Sequence, residues 1–234
     1  MRNFDFNPKA ELNFEPLIVR AYIQTPIVTD QFLPFDSILY NQVIRDKMGR
    51  KELTYSREST VKEFTGHQLP IQKRNIHEEE WYYASSFAVW GKHKQAKHQF
   101  AKRFDIDSAS KYVDFKGKKP AIDTKRGEFK NYFITEYTFI TESVQWYMRA
   151  DKKSIERYLP FITHLGKHAK HGCGAVLRWE VESTEKDWYK NDDQKNIMRA
   201  IPSEKGGLIY GIRPSYWHPR HQTKVLLPNK ILTV

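Results

Sequence analysis

The chain has 234 residues, which fits one large domain or two small ones and is too short for a large multidomain enzyme. Its 39 Lys and Arg residues against 28 Asp and Glu give a formal charge of +11, a surplus that destabilises a compact protein unless a polyanion compensates it. Aromatic residues make up 14% of the chain, too many for a disordered basic tail. Composition therefore indicates a folded, basic protein, with nucleic acid as the first candidate partner.

The first predicted elements are a strand and a helix. Leu17–Ile23 is apolar and ends before Thr25 and Pro26, which is typical of a buried strand. Pro34 is placed as in the first turn of a helix that stops before Gly49. One face of that helix carries the apolar residues Phe35, Ile38, Leu39 and Val43.

The middle of the chain carries most of the positive charge. Residues 50–70 are mixed and polar, as in a long loop, and the near alternation of Glu80–Trp90 predicts a strand. Lys92–Lys130 then contains 12 Lys and Arg against five Asp and Glu, so this segment, called the basic insertion below, has a charge of +7. In a helix, the spacing of its first cations would place Lys94, Lys97 and His98 toward one side.

A solvated face is the ordinary explanation of a charge run. In and just before the basic insertion, however, the charges are interleaved with aromatic residues that can stack on bases or fill a local core: Trp90, Phe100, Phe104, Tyr112, Phe115 and Phe129. This interleaving favours RNA or DNA binding. Lys116, Lys118 and Lys119 flank Gly117 in a predicted turn of the same insertion.

Three elements follow the basic insertion. The β-branched and aromatic residues of Asn131–Arg149 predict two strands with a break near Thr141–Ser143. Asp151 is a candidate N-cap for a helix through Leu165, and Pro160 should kink or divide that helix.

A final core strand completes the predicted domain. Ala175, Leu177, Trp179 and Val181 alternate with more polar residues, which predicts a strand with this set on its buried face. The order of strands and helices is that of an α+β, ferredoxin-like (RRM-like) βαββαβ domain with a long insertion. We expect this domain to span residues 1–184, including the basic insertion at 92–130. Residues 185–234 form a C-terminal extension, interpreted as a small β lobe.

The segment between the last helix and the last strand is the strongest candidate for binding. Three glycines within Gly166–Gly174, called the glycine loop below, allow positive φ angles and close backbone approach, so that main-chain N–H groups can face a phosphate. Lys167, His168, Lys170 and His171 add positive charge to it. A helix C-cap followed by a glycine turn is the alternative explanation, and the density of basic residues favours binding.

The glycine loop, placed before a strand, resembles the glycine-rich loop of the RAMP proteins of CRISPR effector complexes. More narrowly, several short motifs in a shared order are similar to the Cas-five-type subunit of type IV CRISPR systems. These are Leu33–Asp36 with Ile38–Tyr40, Trp81–Tyr82 with Ala84–Ser86, Lys102–Phe104, and Gly172–Val176 with Trp179–Val181. The chain departs from many relatives at His171–Gly174, where an aromatic residue expected for stacking is missing.

This resemblance implies a noncatalytic subunit with a RAMP core, in which the basic insertion acts as a thumb. Such a subunit binds the 5′ handle of the guide RNA (crRNA), caps a filament of backbone RAMP subunits and supports RNA-guided recognition of target DNA by base pairing. Further implied partners are a large-subunit-like protein, a guide-processing endonuclease and a helicase. The implied location is the prokaryotic cytoplasm.

Carried onto this sequence, the resemblance implies two groups of RNA-binding residues. The glycine loop contributes Gly166, Lys167, His168, Lys170, His171, Gly172 and Gly174. The basic insertion contributes Lys102, Arg103 and Phe104. Lys116, Lys118 and Lys119 are added as RNA-binding candidates from the charge of the predicted turn and not from the resemblance.

A zinc site competes for the glycine loop, because His164, His168, His171 and Cys173 are all possible ligands. Their spacing matches no regular zinc finger, and Gly166 interrupts the i, i+4 histidine pair. The sequence also has no phosphate-binding P-loop, Rossmann fingerprint or nucleophile motif. We therefore expect neither a metal nor another cofactor.

Ribonuclease activity is the alternative function, since some Cas-five-type relatives cleave the precursor of the guide RNA. Metal-free cleavage needs a general base and a general acid, for which His164, His168, His171 and Tyr22 are candidates by residue type alone. A third hypothesis is a general nucleic-acid-binding protein outside CRISPR systems, which would bind unrelated RNA equally well.

The sequence contains no long apolar stretch. No apolar run exceeds four residues, whereas a membrane-spanning helix needs about 20. A single cysteine, Cys173, cannot form an internal disulfide, as expected in a reducing compartment. We therefore expect a cytoplasmic protein without a membrane partner.

Overall fold

The computed structural model describes residues 12–48, 69–77, 80–112, 123–126 and 129–234. Three α-helices lie in these ranges: α1 (Phe35–Met48), α2 (Ile106–Tyr112) and α3 (Lys152–Tyr158). The strands are β1 (Phe14–Ile23), β2 (Ile27–Val28), β3 (Lys73–Asn75), β4 (Trp81–Tyr83), β5 (Val89–Trp90), β6 (His93–Lys102), β7 (Tyr132–Thr141), β8 (Ser143–Asp151), β9 (Val176–Ser183), β10 (Ile201–Pro202), β11 (Leu208–Gly211) and β12 (Gln222–Leu226). The protein is therefore of mixed α and β structure, as predicted.

A four-stranded sheet forms the centre of the molecule, with the order β5-β8-β1-β9 and antiparallel pairing throughout. The apolar side chains of β1 set its register, because Val19 lies opposite Trp146 of β8 and Val181 of β9. The predicted strand at Leu17–Ile23 is confirmed, and it begins earlier, at Phe14.

One face of this sheet is covered by α1 and α3. Phe35, Leu39 and Val43 of α1 are buried in the main core, as the sequence predicts. The Asp151 carboxylate accepts a hydrogen bond of 2.9 Å from the Ser154 amide and caps α3, which is also confirmed.

The third helix is shorter than predicted. It ends at Tyr158 rather than Leu165, because Pro160 cannot continue an α-helix, and Leu159–Phe161 forms a 3₁₀ turn instead. The residues after Phe161 therefore leave the helical conformation and lead into the glycine loop.

The predicted buried face of β9 is wrong at Leu177, which is 66% exposed. Tyr22 of β1 pairs with Arg178, but the next residue, Ile23, pairs with Val176, so a bulge skips Leu177. The bulge shifts the alternation by one residue, and Val176 packs against the main core in its place.

The strand predicted at Glu80–Trp90 is divided into β4 and β5. β4 pairs with β3 and β5 with β8, while the intervening residues bond to two other parts of the chain. The Ser86 amide donates to the Tyr147 carbonyl, and the Phe87 amide donates to the Met198 carbonyl, both at 2.8 Å. A change of backbone partners therefore interrupts the strand.

The opposite face of the main sheet packs against the C-terminal part of the chain, where β10, β12 and β11 form a small antiparallel sheet. A second core combines residues before and after position 184: Ile18, Tyr82, Phe87, Val89 and Tyr147 with Met198, Ala200, Ile212, Val225 and Leu232. Residues 199–216 are therefore held against the start of α1 and the β4–β5 segment.

Two buried polar groups join these parts. Arg199, 1% exposed, donates hydrogen bonds to the carbonyls of Tyr83, Ser85, Ala200 and Ile212. The Tyr216 hydroxyl contacts both oxygens of the buried Asp36 carboxylate, at 2.8 and 2.9 Å. Burial raises the pKa of Asp36 to about 6, although attraction by Arg199 and the Tyr216 hydrogen bond oppose the change.

A long two-stranded ribbon, β6 and β7, extends from the centre of the molecule and forms a sheet with β2. Its base is fixed by Phe139, which stacks on the buried Trp90 with ring centroids 4.0 Å apart. The break between β7 and β8 lies at Glu142, within the predicted Thr141–Ser143. In the described ranges of the chain, no helix has the length and apolar character needed to cross a membrane.

Candidate nucleic-acid interface

The glycine loop has its shape because three of its residues adopt positive φ angles as glycines: Gly166 (+75°), Gly172 (+80°) and Gly174 (+69°). A Cβ atom on Gly166 would overlap the Val28 carbonyl oxygen, and one on Gly174 would overlap that of Leu165. Nothing lies within 4 Å of a Cβ at Gly172. Two of the glycines are therefore needed for close packing as well as for backbone conformation.

The main-chain amides of the loop are largely used inside the protein. Lys167 donates to the Val28 carbonyl at 2.7 Å, and Gly174 donates to the Pro26 carbonyl at 2.8 Å. His171 and Gly172 donate to carbonyls within the loop itself. These four amides are not directed at an external phosphate, contrary to the sequence interpretation, whereas the side chains of Lys167, Lys170 and His171 are exposed.

The first part of the basic insertion is a strand and not a helix. β6 pairs with β7 over its whole length, with His98 opposite Glu136 and Phe100 opposite Ile134. Since side chains alternate along a strand, Lys94 and His98 lie on one face of the ribbon and Lys97 on the other. The helical grouping predicted for these three residues is therefore wrong.

The glycine loop and the ribbon contact each other, although they are far apart in sequence. The Phe100 ring of β6 stacks on His168 with centroids 3.7 Å apart and planes 17° from parallel. From β7, the Glu136 carboxylate accepts hydrogen bonds from Lys167 Nζ, at 2.9 Å, and from His168 Nε2. Phe100 thus supplies an aromatic ring beside the loop, which contains no Phe, Tyr or Trp among Gly166–Gly174.

The electrostatics of this junction follow from those contacts. Burial alone would raise the pKa of Glu136, but the hydrogen bonds from Lys167 and His168 outweigh burial and the pKa is lowered. The hydrogen bond to Glu136 raises the pKa of Lys167. Both groups are charged at neutral pH, and the loop–ribbon junction contains a true ion pair.

The remaining predicted residues lie further along the ribbon. Lys102 and Arg103 are exposed at the end of β6. Phe104 packs on Phe129 with centroids 4.6 Å apart, and its amide donates to Asn131 Oδ1 at 2.7 Å. Lys116, Lys118 and Lys119 lie outside the described residues.

Sequence reasoning missed the exposed aromatic face of β7. Phe133 and Tyr137 are 65% and 55% exposed and lie on the face opposite Phe100 and Glu136. Tyr137 is paired with Lys97, so an aromatic residue and a cation are adjacent on that face. The dense apolar pattern of β7 resembles that of a core strand, and only the pairing with the polar β6 shows that both strands leave the core.

Among the residues considered for zinc or catalysis, His168 and His171 are neighbours, with ring centroids 5.7 Å apart. Within the described ranges, no three His, Cys, Asp or Glu side chains gather as ligands for a metal ion. His168 Nε2 contacts Glu136, whereas the Tyr22 hydroxyl donates to Glu180 on the main sheet at 2.9 Å. The ring of Tyr22 is further covered by Arg178, 3.5 Å from its centroid.

Comparison with known proteins gives the family. A search of curated proteins found no match. The family model of Csf3, a CRISPR type IV associated protein, matches residues 15–228, a range that includes the main sheet, the ribbon, the glycine loop and most of the C-terminal extension. The resemblance to a type IV CRISPR subunit is confirmed, and the chain belongs to the Csf3 family of CRISPR type IV associated proteins.

Proposed function

We propose that this subunit of a type IV CRISPR complex binds the 5′ handle of the guide RNA at the junction of the glycine loop and the β6–β7 ribbon. It acts without catalysis, caps the filament of backbone RAMP subunits and supports targeting of DNA through guide pairing. The observation that carries the proposal is the stacking of Phe100 on His168, which brings the glycine loop and the ribbon of the basic insertion into contact.

The topology supports a RAMP core of the ferredoxin-like type. α1 follows β1, β5 and β8 are antiparallel neighbours, and α3 leads from β8 toward β9. The resulting order β5-β8-β1-β9 is the one expected of a βαββαβ domain whose strands are numbered 2-3-1-4. In this interpretation the ribbon is the insertion that serves as a thumb, and residues 185–234 extend the domain over its second face.

The surface charge supports a polyanionic ligand. On the ribbon, Lys94, Lys97, Lys102 and Arg103 are exposed, and Lys170 and His171 are exposed on the loop. Phosphates attract such cations without sequence preference, whereas exposed rings such as those of Phe133 and Tyr137 can stack on unpaired bases. Exposed cations together with exposed aromatic rings suit single-stranded RNA whose backbone follows one path across the surface.

The proposed partners follow from this role. The nucleic-acid partners are guide RNA and target DNA. The protein partners are backbone RAMP subunits, a large-subunit-like protein, a guide-processing endonuclease and a helicase. All of them belong to a prokaryotic cytoplasmic complex, with no metal or other cofactor required by this chain.

The test replaces Lys167 and Lys170 by alanine and measures repeat-RNA binding by fluorescence anisotropy across a salt series. We expect weaker binding and a log–log salt slope reduced by about 1 to 2, because each single-strand phosphate contact accounts for about 0.7 of that slope. A matched control replaces Lys190 and Lys205, two exposed lysines of the C-terminal extension, and should retain the slope within about 0.5.

Unchanged affinity and slope in the Lys167/Lys170 variant would refute the loop assignment. The same RNA, analysed on a gel after incubation, should remain intact. One defined cut that disappears in His168→Ala or His171→Ala would instead establish the ribonuclease alternative. Equal affinity for unrelated RNA would favour a general nucleic-acid-binding protein.

A further inference from the structure

Glu136 holds two of the candidate RNA-binding side chains in the free protein. One carboxylate oxygen accepts from Lys167 Nζ at 2.9 Å and the other accepts from His168 Nε2. The Glu136 side chain is 15% exposed, whereas those of Lys167 and His168 are 52% and 26% exposed. An anion with two oxygens thus already occupies the space between two loop donors.

The His168 donor and the backbone that carries Lys167 are fixed in place by their surroundings. His168 has a φ of +59°, and its carbonyl accepts from the His171 amide at 2.8 Å. Its ring is held against Phe100, and the Lys167 amide is bonded to β2. Because the His168 ring is held in place, its Nε2 can receive another oxyanion with little rearrangement, and the flexible Lys167 side chain can follow the new anion.

The position of Glu136 within the ribbon is unusual for its charge. β6 and β7 together contain three lysines, and Glu136 is their one acidic residue. It lies at the point of contact with the glycine loop, where its charge offsets the repulsion between Lys167 and the lysines of the ribbon. The phosphodiester group of RNA also presents two oxygens to paired donors.

We infer that Lys167 Nζ and His168 Nε2 form a phosphate subsite, and that Glu136 occupies this subsite until a phosphate of the guide RNA displaces it. The inference rests on the proposed function of the glycine loop and adds a defined pair of donor atoms and an internal competitor. Glu136 keeps the loop closed on the ribbon in the free protein. RNA binding exchanges one oxyanion for another, and the released carboxylate turns to solvent.

The direct test is Glu136→Gln, since the amide oxygen can still accept a hydrogen bond while the competing charge is removed. We expect repeat RNA to bind about 2- to 5-fold more tightly, in line with the loss of one partly exposed ion pair in competition with the ligand. Glu142→Gln is the matched control. Glu142 is exposed and lies between β7 and β8, and its replacement by Gln changes the net charge by the same amount. It should alter affinity by less than about twofold at moderate salt.

A double-mutant cycle tests the competition itself. If Glu136 occupies Lys167 in the free protein, Lys167→Ala should weaken RNA binding more in the Glu136→Gln background than in the wild type. Equal losses in the two backgrounds would overturn the exchange. This result is separable from failure of the proposed function, in which the Lys167/Lys170 variant binds as the wild type does.

A measurement on the wild-type protein covers the case in which Glu136→Gln does not fold. The Glu136 side-chain carboxyl carbon can be followed by NMR during pH titration, without RNA and with saturating repeat RNA. Release of the carboxylate predicts that its lowered pKa returns toward the ordinary value when RNA is bound. A pKa that stays equally low in the complex contradicts the inference.

Discussion

Replacing Gly174 by alanine should destabilise the protein more than the same change at Gly172. Both residues have positive φ angles, so both variants carry the cost of a left-handed residue, about 1–2 kcal/mol, partly offset by lower entropy of the unfolded chain. At Gly174, however, the new Cβ would overlap the Leu165 carbonyl oxygen and lie 2.9 Å from its carbon. At Gly172 it would meet open space.

The difference between the variants can be estimated from the hydrogen bonds that the overlap displaces. The Leu165 amide donates to the Gly174 carbonyl and the Gly174 amide donates to the Pro26 carbonyl, each at 2.8 Å. At about 1 kcal/mol for each bond, Gly174→Ala should lose roughly 3 kcal/mol in total, against about 1 kcal/mol for Gly172→Ala.

Urea denaturation followed by tryptophan fluorescence measures both free energies of unfolding. Repeat-RNA binding of the folded variants gives the second readout, and it should weaken more for Gly174→Ala, because opening of the loop moves Lys167 and His168. Equal losses of stability in the two variants would show that the loop is not packed against Leu165 as described, and the reasoning would fail.

Two further predictions concern the buried polar groups. Because the pKa of Asp36 is raised from 3.8 to about 6, its stabilising contribution is fully present below about pH 4 and is lost as the pH rises through 6. The stability of the wild type relative to Asp36→Asn should therefore increase by about 2.5 kcal/mol between pH 7 and pH 4 in urea titrations, and a constant difference would contradict the burial of Asp36. Arg199→Met leaves several buried carbonyls unpaired and should cost about 3 kcal/mol or more, whereas Arg20→Met, which breaks a partly exposed pair with Glu180, should cost less than about 1 kcal/mol. Similar losses at the two positions would show that the Arg199 contacts are weak.

Local patterns were sufficient for much of the main sheet and its helices. The N-cap at Asp151, the interruption by Pro160 and the apolar face of α1 are properties of neighbouring residues, and the sequence predicts all three. The error at Leu177 has a non-local cause, because the bulge that exposes it arises from the register with Tyr22 and Ile23. Alternation alone cannot reveal where a register changes.

The candidate interface was predicted in its parts but not in its assembly. Charge and glycine content identify the loop and the insertion separately. The contact between them depends on two non-local features. β6 pairs with β7 across an intervening segment, and Phe100 stacks on His168. Lys94, Lys97 and His98 also fit a helical spacing, so the partner strand, and not the local sequence, decides their geometry. Glu136 is the one charged residue of β7, and nothing in the neighbouring sequence indicates its partners.

The second core has a consequence for how the molecule unfolds. Tyr147 of β8 and Met198 of the C-terminal extension are buried in the same hydrophobic core. Arg199 donates hydrogen bonds to carbonyls on both sides of position 184. Removing the residues after 184 would expose one face of the main sheet and leave the Ser85 carbonyl without its Arg199 donor. The protein should therefore unfold as one cooperative unit, and loss of the C-terminal segment should destabilise the start of α1.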